Sequence, residues 1–284
     1  MKKLLTFIFA AGLSLSLFAA DIFKYAPLSG AIKSYTETDF SIASRFGTLY
    51  RTPSKKITHA FDAKGKEITS SELTPKDAVI NTISSTYDTS GNITEQVCSS
   101  VDGEIVWKNT FAYKNGLKID SSEFDRKGTL CARTIYTYEN NLLTDESSYD
   151  SEGALIWKII YKYNENGRID SVSEYNPDGS LSEQEVYSYT ESGAIDTIAK
   201  NDAYAAKETQ LVFRYGANGV LNEITSYDNT KQILKRTLIK YDEKGNVNKV
   251  SEYDVADKFG TTVNELVAMS EYSFEYAGSA ADAK

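Results

Sequence analysis

The chain has 284 residues, of which 41% are hydrophobic and 12% aromatic, and a formal charge of −9. That apolar content excludes a disordered polymer. The acidic balance lacks the clustered positive footprint of a nucleic-acid binder and disfavours adhesion to an anionic membrane surface.

The first element is a leader. Lys2 and Lys3 precede an apolar run from Leu4 to Phe18, and the small residues Ala19 and Ala20 stand before Asp21. Residues 1–20 therefore read as a secretory signal peptide, since the run is too short for a permanent span. Removing it takes the charge from −9 to −11 and leaves a mature chain with no membrane span. The expected location is the periplasm, or the cell surface and medium. No cysteine follows the run, so an N-terminal lipid anchor is not expected.

Residues 21–60 lack turn glycines at the repeat positions and read as an N-terminal capping segment. That segment nevertheless shares a ruler with the rest of the chain. An aromatic stands at Tyr35, Phe61, Tyr87, Tyr113, Tyr138, Tyr163, Tyr189, Tyr215 and Tyr241, always 25 or 26 residues after the last. Chance does not hold such a register, so residues 61–276 are expected to be a repeat domain.

Each unit contains two similar halves, a turn followed by a strand. The pattern aromatic-Asp/Asn-x-x-Gly recurs at Phe61, Tyr87, Phe124, Tyr149, Tyr163, Tyr175 and Tyr241. Asp or Asn caps such a turn through its side chain, and Gly takes the φ > 0 position that closes it. Between turns the residues alternate with period two. Leu155, Trp157, Ile159, Tyr161 and Tyr163 are expected on one face, Lys158 and Lys162 on the other. Ile105, Trp107, Phe111 and Tyr113, and Leu130, Tyr136 and Tyr138, repeat that row. The aromatics are expected to stack in cross-strand ladders, their hydroxyls reaching water. The series Trp107, Ala132, Trp157 reads as interdigitated packing.

The fold class expected is all-β, an antiparallel meander of sixteen to eighteen strands. So wide a sheet should coil strongly or close partly into a barrel with its aromatic face inward. Departures from the repeat mark loops at Ser70–Asp77, Asn201–Lys207 and Val255–Leu266, and Lys231 replaces a turn glycine. Residues 277–284 read as a disordered tail. Cys98 and Cys131 fall on well-separated strands, roughly 14 Å apart at the usual strand spacing, so they are not expected to pair and read as small buried residues.

The segments Tyr161-x-Tyr163-Asn-Glu-Asn-Gly167-Arg-Ile169 and Tyr149-Asp-Ser-Glu-Gly153-Ala-Leu155 resemble the YD repeats of RHS proteins, and the resemblance runs over roughly residues 61 to 253. It implies a spiralling β-sheet and an extracellular binding role. The unit here is longer than the usual RHS unit, and no C-terminal toxin domain follows.

Motifs for chemistry are sparse. His59 is the only histidine, lies in a strand segment and has no nucleophile signature beside it. The Asp-x-x-Gly turns offer one or two acids each, against the six to eight oxygens calcium needs. Asp170 and Glu174 read as solvated carboxylates. No catalytic, cofactor or metal residue is nominated, and no ligand-binding residue is assigned. The expected function is that of an exported, non-enzymatic binding or structural module of the cell envelope, with a protein or glycan partner. Its terminal strands would be free for β-edge self-association. Alternatives are a carrier of a small apolar or glycan ligand in an aromatic-lined cavity, and a carbohydrate-active enzyme using paired carboxylates.

Overall fold

The computed structural model describes residues 22–203, 207–258 and 260–278; the expected leader and most of the expected tail lie outside them. A short helix α1 (Ile22–Tyr25) opens the described chain. The strands follow as β1 (Ile32–Arg45), β2 (Thr48–Phe61), β3 (Glu67–Leu73), β4 (Val79–Tyr87), β5 (Ile93–Ser100) and β6 (Ile105–Lys114). Next come β7 (Leu117–Asp125), β8 (Leu130–Glu139), β9 (Leu142–Asp150), β10 (Leu155–Tyr163), β11 (Ile169–Tyr175) and β12 (Leu181–Tyr189). The last are β13 (Ile195–Asp202), β14 (Lys207–Tyr215), β15 (Leu221–Asp228), β16 (Ile233–Tyr241), β17 (Val247–Lys258) and β18 (Thr261–Tyr276).

Every strand pairs antiparallel with its neighbours in sequence, and β1 also pairs with β18 from Ile32↔Tyr276 to Ser41↔Ala268. The meander is thus an eighteen-stranded closed barrel. Closure corrects the expectation of free terminal edges, because β1 and β18 satisfy each other's backbone groups along the seam. Of the segments expected as loops, Ser70–Leu73 is strand in β3, and Val255–Lys258 and Thr261–Leu266 are strand in the arms of a long β17–β18 hairpin.

The turns form as their residues dictate. Asp150 Oδ1 accepts the amides of Glu152 and Ala154, and Asp62, Asp125, Asp228 and Asp242 accept the equivalent pairs. Gly153 takes φ 84° where these turns close, and Lys231 is forced to φ 66° at the equivalent place. The aspartates Asp62, Asp88, Asp125, Asp178 and Asp242 consequently have lowered pKa values: hydrogen bonds dominate for the first four, whereas for Asp242 they outweigh a larger burial effect.

Most hairpins carry a one-residue register shift, and these bulges decide which face a side chain takes. Trp157 pairs with Ser148 but Leu155 with Tyr149, so Ile156 is the extra residue and Leu155 leaves the Trp157 face. Ile105 and Leu130 leave the inner face at the same kind of bulge. Strict alternation would have kept all three with the aromatics; the structure corrects that reading.

The aromatic face is the concave one. Phe23 lies 5.6 Å from Tyr35 on β1 and 5.2 Å from Tyr272 on β18, while Tyr25 lies 5.0 Å from Phe213 on β14. Strands β14 and β1 are roughly 24 Å apart along the sheet, yet a four-residue helix about 6 Å long touches both. Only a wall curving around α1 permits that. The core sits there, with Ile198, Leu211, Phe213, Ile224, Ile239 and Val250 packed against α1 and the segment after it. Asn246 fastens this plug, accepting the Ser29 amide and donating to the Ser29 carbonyl and the Tyr276 hydroxyl.

Candidate functional site

The nine even-numbered strands carry an aromatic as their last or next-to-last residue, at the same rim: Phe61, Tyr87, Tyr113, Tyr138, Tyr163, Tyr189, Tyr215, Tyr241 and Tyr276. The ring is completed by Tyr276; Tyr35 lies one rung deeper on β1, stacked 4.3 Å from His59. Six of these tyrosines donate to a backbone carbonyl twenty residues earlier, Tyr163 to Leu143 at 2.7 Å and Tyr189 to Ile169 at 2.6 Å among them. The accepting residue is the first or second of the preceding strand, beside a bulge that interrupts the regular ladder. The hydroxyls therefore close the sheet instead of reaching water. Successive ring members do not stack, because an intervening strand places an aliphatic such as Leu143 or Ile169 between them.

Below this ring the inner face divides into two arcs. From β12 round to β1 it is filled by α1 and the buried aliphatics. From β3 to β11 its aromatics Trp107, Phe111, Tyr136, Trp157 and Tyr161 are only half-buried. A round barrel of eighteen strands would be roughly 36 Å across, too wide for side chains to fill. The plug fills one arc and leaves the other as the wall of a lumen.

Polar groups are interleaved with these aromatics. On β6, Asn109 sits between Trp107 and Phe111 and pairs across to Gln96 on β5 and Glu123 on β7. Its Oδ1 is buried and has no hydrogen-bond partner. Burial raises the Glu123 and Glu174 carboxyls above their ordinary range. Glu183, opposite Glu174, is pushed up to about 7 by burial and by Glu185, Asp202 and Glu174, with Lys200 opposing. Glu146 accepts the Tyr161 hydroxyl at 2.7 Å, and Lys118 lies 4.0 Å over the Tyr136 ring. Inside the filled arc, Lys200 pairs with Glu185 at 2.7 Å, and Lys235 with Glu252. Near the seam Glu37 is pushed up to about 7 by burial and by Asp39, against His59 and Lys55.

Sequence reasoning placed the aromatics and missed the carboxyls. Glu174 is not a solvated group; it faces inward opposite Ile159. Glu183 and Glu185 share the parity of Tyr187 and Tyr189, a signal that could have found them. His59 stands in its strand as expected, with Nδ1 2.9 Å from Glu67. Cys98 and Cys131 are unpaired; Cys98 is buried, whereas Cys131 occupies a bulge and is exposed, against expectation. Among the described residues no cluster of three or more His, Cys, Asp or Glu could hold a metal ion.

No family model and no curated protein matches the chain. Among solved structures, a porin-like protein from Bacteroides uniformis is 10% identical, covers 86% of this chain and 98% of its own, and superposes with a TM-score of 0.50. A porin-like protein from Bacteroides vulgatus is 10% identical over 87% of this chain and 99% of its own, with a TM-score of 0.38. The Photorhabdus luminescens Tc holotoxin pore is 11% identical over 81% of this chain and 19% of its own, with a TM-score of 0.17. The first likeness is one of fold alone. The other two scores are too low to establish even that.

The outer wall carries charge at mid-strand. Its mid-strand positions carry ion pairs: Lys158–Asp145 at 2.5 Å, Arg133–Asp120 at 2.5 Å, Arg236–Glu223 at 3.0 Å and Lys249–Glu271 at 3.5 Å. Between them stand Ser84, Ser122, Ser147, Ser173 and Thr225. A transmembrane barrel places apolar residues outward, and each Lys or Arg at mid-membrane costs about 2–4 kcal/mol. Here charged pairs and hydroxyls share the outer row with aliphatics such as Ile135, Ile160, Val186 and Leu238.

Proposed function

We propose that this chain is an exported, non-enzymatic binding protein of the cell envelope that holds a glycan in its barrel lumen. The observation that carries the reading is the stripe Gln96–Asn109–Glu123 flanked by Trp107 and Phe111. Half-buried aromatic faces interleaved with amide and carboxyl side chains suit a ring with apolar faces and hydroxyl groups. The Glu123 carboxyl, raised above its ordinary range by burial, offers two acceptor oxygens beside the aromatics. The leader-like N-terminus supports export, and the barrel fold shared with a porin-like protein is compatible with an envelope location.

The chain holds only two tryptophans, Trp107 and Trp157, and both face the lumen. Intrinsic fluorescence therefore reports on the site without a label. Titration of the protein with a panel of cell-wall and capsular oligosaccharides should shift or quench the emission. Asn109→Leu should abolish the response while leaving far-UV dichroism unchanged. A flat response to every glycan, with a response to fatty acids or other apolar probes, would replace the glycan by an apolar cargo. Turnover of any oligosaccharide, lost in Glu123→Gln, would overturn the non-enzymatic reading.

A further inference from the structure

Two neighbouring repeats build the open wall of the lumen differently. Tyr136 on β8 and Tyr161 on β10 stand 25 residues apart at equivalent places on the inner face. Tyr136 is completed from within the chain: its hydroxyl shares a hydrogen bond with Ser121 at 3.1 Å, and the Lys118 ammonium lies 4.0 Å over its ring. One repeat later those two places hold Glu146 and Leu143. Glu146 Oε1 accepts the Tyr161 hydroxyl at 2.7 Å, as Ser121 serves Tyr136. No cation lies over the Tyr161 ring among the described residues. An ammonium has been exchanged for an aliphatic, and a hydroxyl for a carboxyl.

Glu146 is unusual in its row. The equivalent places, from Ser70 and Gln96 through Ser121 to Val172 and Ile198, are uncharged. Half-buried between its cross-strand neighbours Tyr136 and Ile159, the carboxylate loses hydration that a positive partner would replace. The wall offers none. Between the rims, β3 to β11 turn Glu72, Glu123, Glu146 and Glu174 inward, none of them in an ion pair among the described residues. Glu67, nearer the tyrosine ring, is taken by His59. The one ammonium on this arc is Lys118, held against the rings of Tyr136 and Phe111.

We propose that the glycan of the lumen is built from amino sugars with free amines, one ammonium resting on the Tyr161 ring against Glu146 as Lys118 rests on Tyr136. The inference rests on the glycan reading of this same lumen. An aromatic face beside a carboxylate recognises an ammonium through cation–π attraction and charge-assisted hydrogen bonding together. The same excess of carboxyls repels uronates and sulfated sugars.

The test is titration of the chain, processed after its leader, with tetramers of glucosamine, of N-acetylglucosamine and of galacturonic acid. Tryptophan emission is the readout, because Trp157 shares the strand and the face of Tyr161. In mildly acidic buffer the glucosamine tetramer should bind about tenfold tighter than its acetylated counterpart, the effect of one partly desolvated ammonium contact. The galacturonate tetramer should not bind. Glu146→Gln keeps an acceptor for the Tyr161 hydroxyl and should erase the preference while leaving affinity for the acetylated sugar unchanged. Leu143→Lys places the chain's own ammonium at the position equivalent to Lys118 and should erase it too. Asp145→Asn removes a charge from the outer face of the same strand, where Asp145 pairs with Lys158, and should retain the preference. Equal binding of the two tetramers, tighter binding of galacturonate, or a preference that survives Glu146→Gln overturns the inference and leaves the glycan reading standing. So does loss of the preference in Asp145→Asn, or silence toward glucosamine while another glycan responds. Silence toward every glycan overturns both.

Discussion

At the scale of single residues, the barrel is tuned in two opposite directions by its carboxyls. Turn aspartates such as Asp62 and Asp125 sit below their ordinary pKa, so the stability they confer is present above about pH 4 and lost as pH falls through their lowered values. Glu37 and Glu183 are raised to about 7, so the folded state binds their protons more tightly than the unfolded chain does. Their contribution is complete below the unfolded value near 4.5 and is lost as pH rises through about 7. The melting temperature should therefore be highest near pH 5 and lower at pH 8. Glu37→Gln should raise it strongly at pH 8 and only slightly at pH 5. Scanning calorimetry across that range decides the matter, and a flat profile from pH 5 to 8 would mean these carboxyls are solvated.

At the scale of elements, the hairpin is the unit, and its parts can be tested one at a time. Lys231 holds the left-handed conformation that Gly153 and its equivalents hold without strain. Lys231→Gly should therefore stabilise by about 0.5–1 kcal/mol in urea unfolding. Gly167, at φ 71°, is the converse, since a β-branched residue resists that conformation. Gly167→Val should destabilise by more than 1 kcal/mol. Tyr163→Phe keeps the ring and removes one hydroxyl bond to Leu143, which should cost about 0.5–1.5 kcal/mol.

These elements were largely legible in the sequence, because a turn aspartate and its glycine act within five residues. The face of Leu155, the closure of β1 on β18 and the lumen carboxyls were not. Leu155 changes face through a bulge at Ile156, and a bulge depends on the partner strand, not on the segment itself. Closure depends on residues more than two hundred positions apart, such as Thr36 and Ser273, neither of which carries a turn signal. Glu174 was misread because polar residues occur on both faces of this sheet, so alternation alone did not tell inside from outside. Asn109 resembles any strand asparagine until Gln96 and Glu123 are placed beside it.

At the scale of the whole molecule, everything proposed for the lumen rests on closure. An open sheet would expose Trp107, Trp157 and the tyrosine ring to water, whereas a closed one encloses them. The seam offers a direct test, because Thr36 and Ser273 are cross-strand partners on the outer face of β1 and β18. Opposed Cα atoms in an antiparallel pair lie about 4.5–5.5 Å apart, inside the range a disulfide spans. In a background with Cys98→Ser and Cys131→Ser, the pair Thr36→Cys and Ser273→Cys should oxidise completely within one chain. The link would close a loop of nearly the whole protein. The chain-entropy account puts its stabilisation at up to about 5 kcal/mol, so a large rise in melting temperature should vanish on reduction. Because the seam is already formed, tryptophan fluorescence and glycan binding should be the same before and after oxidation. If the two cysteines stay reduced, or join only between chains, the seam is open in solution. The lumen would then be one face of an extended sheet, and the search for its ligand would become a search for whatever covers that face.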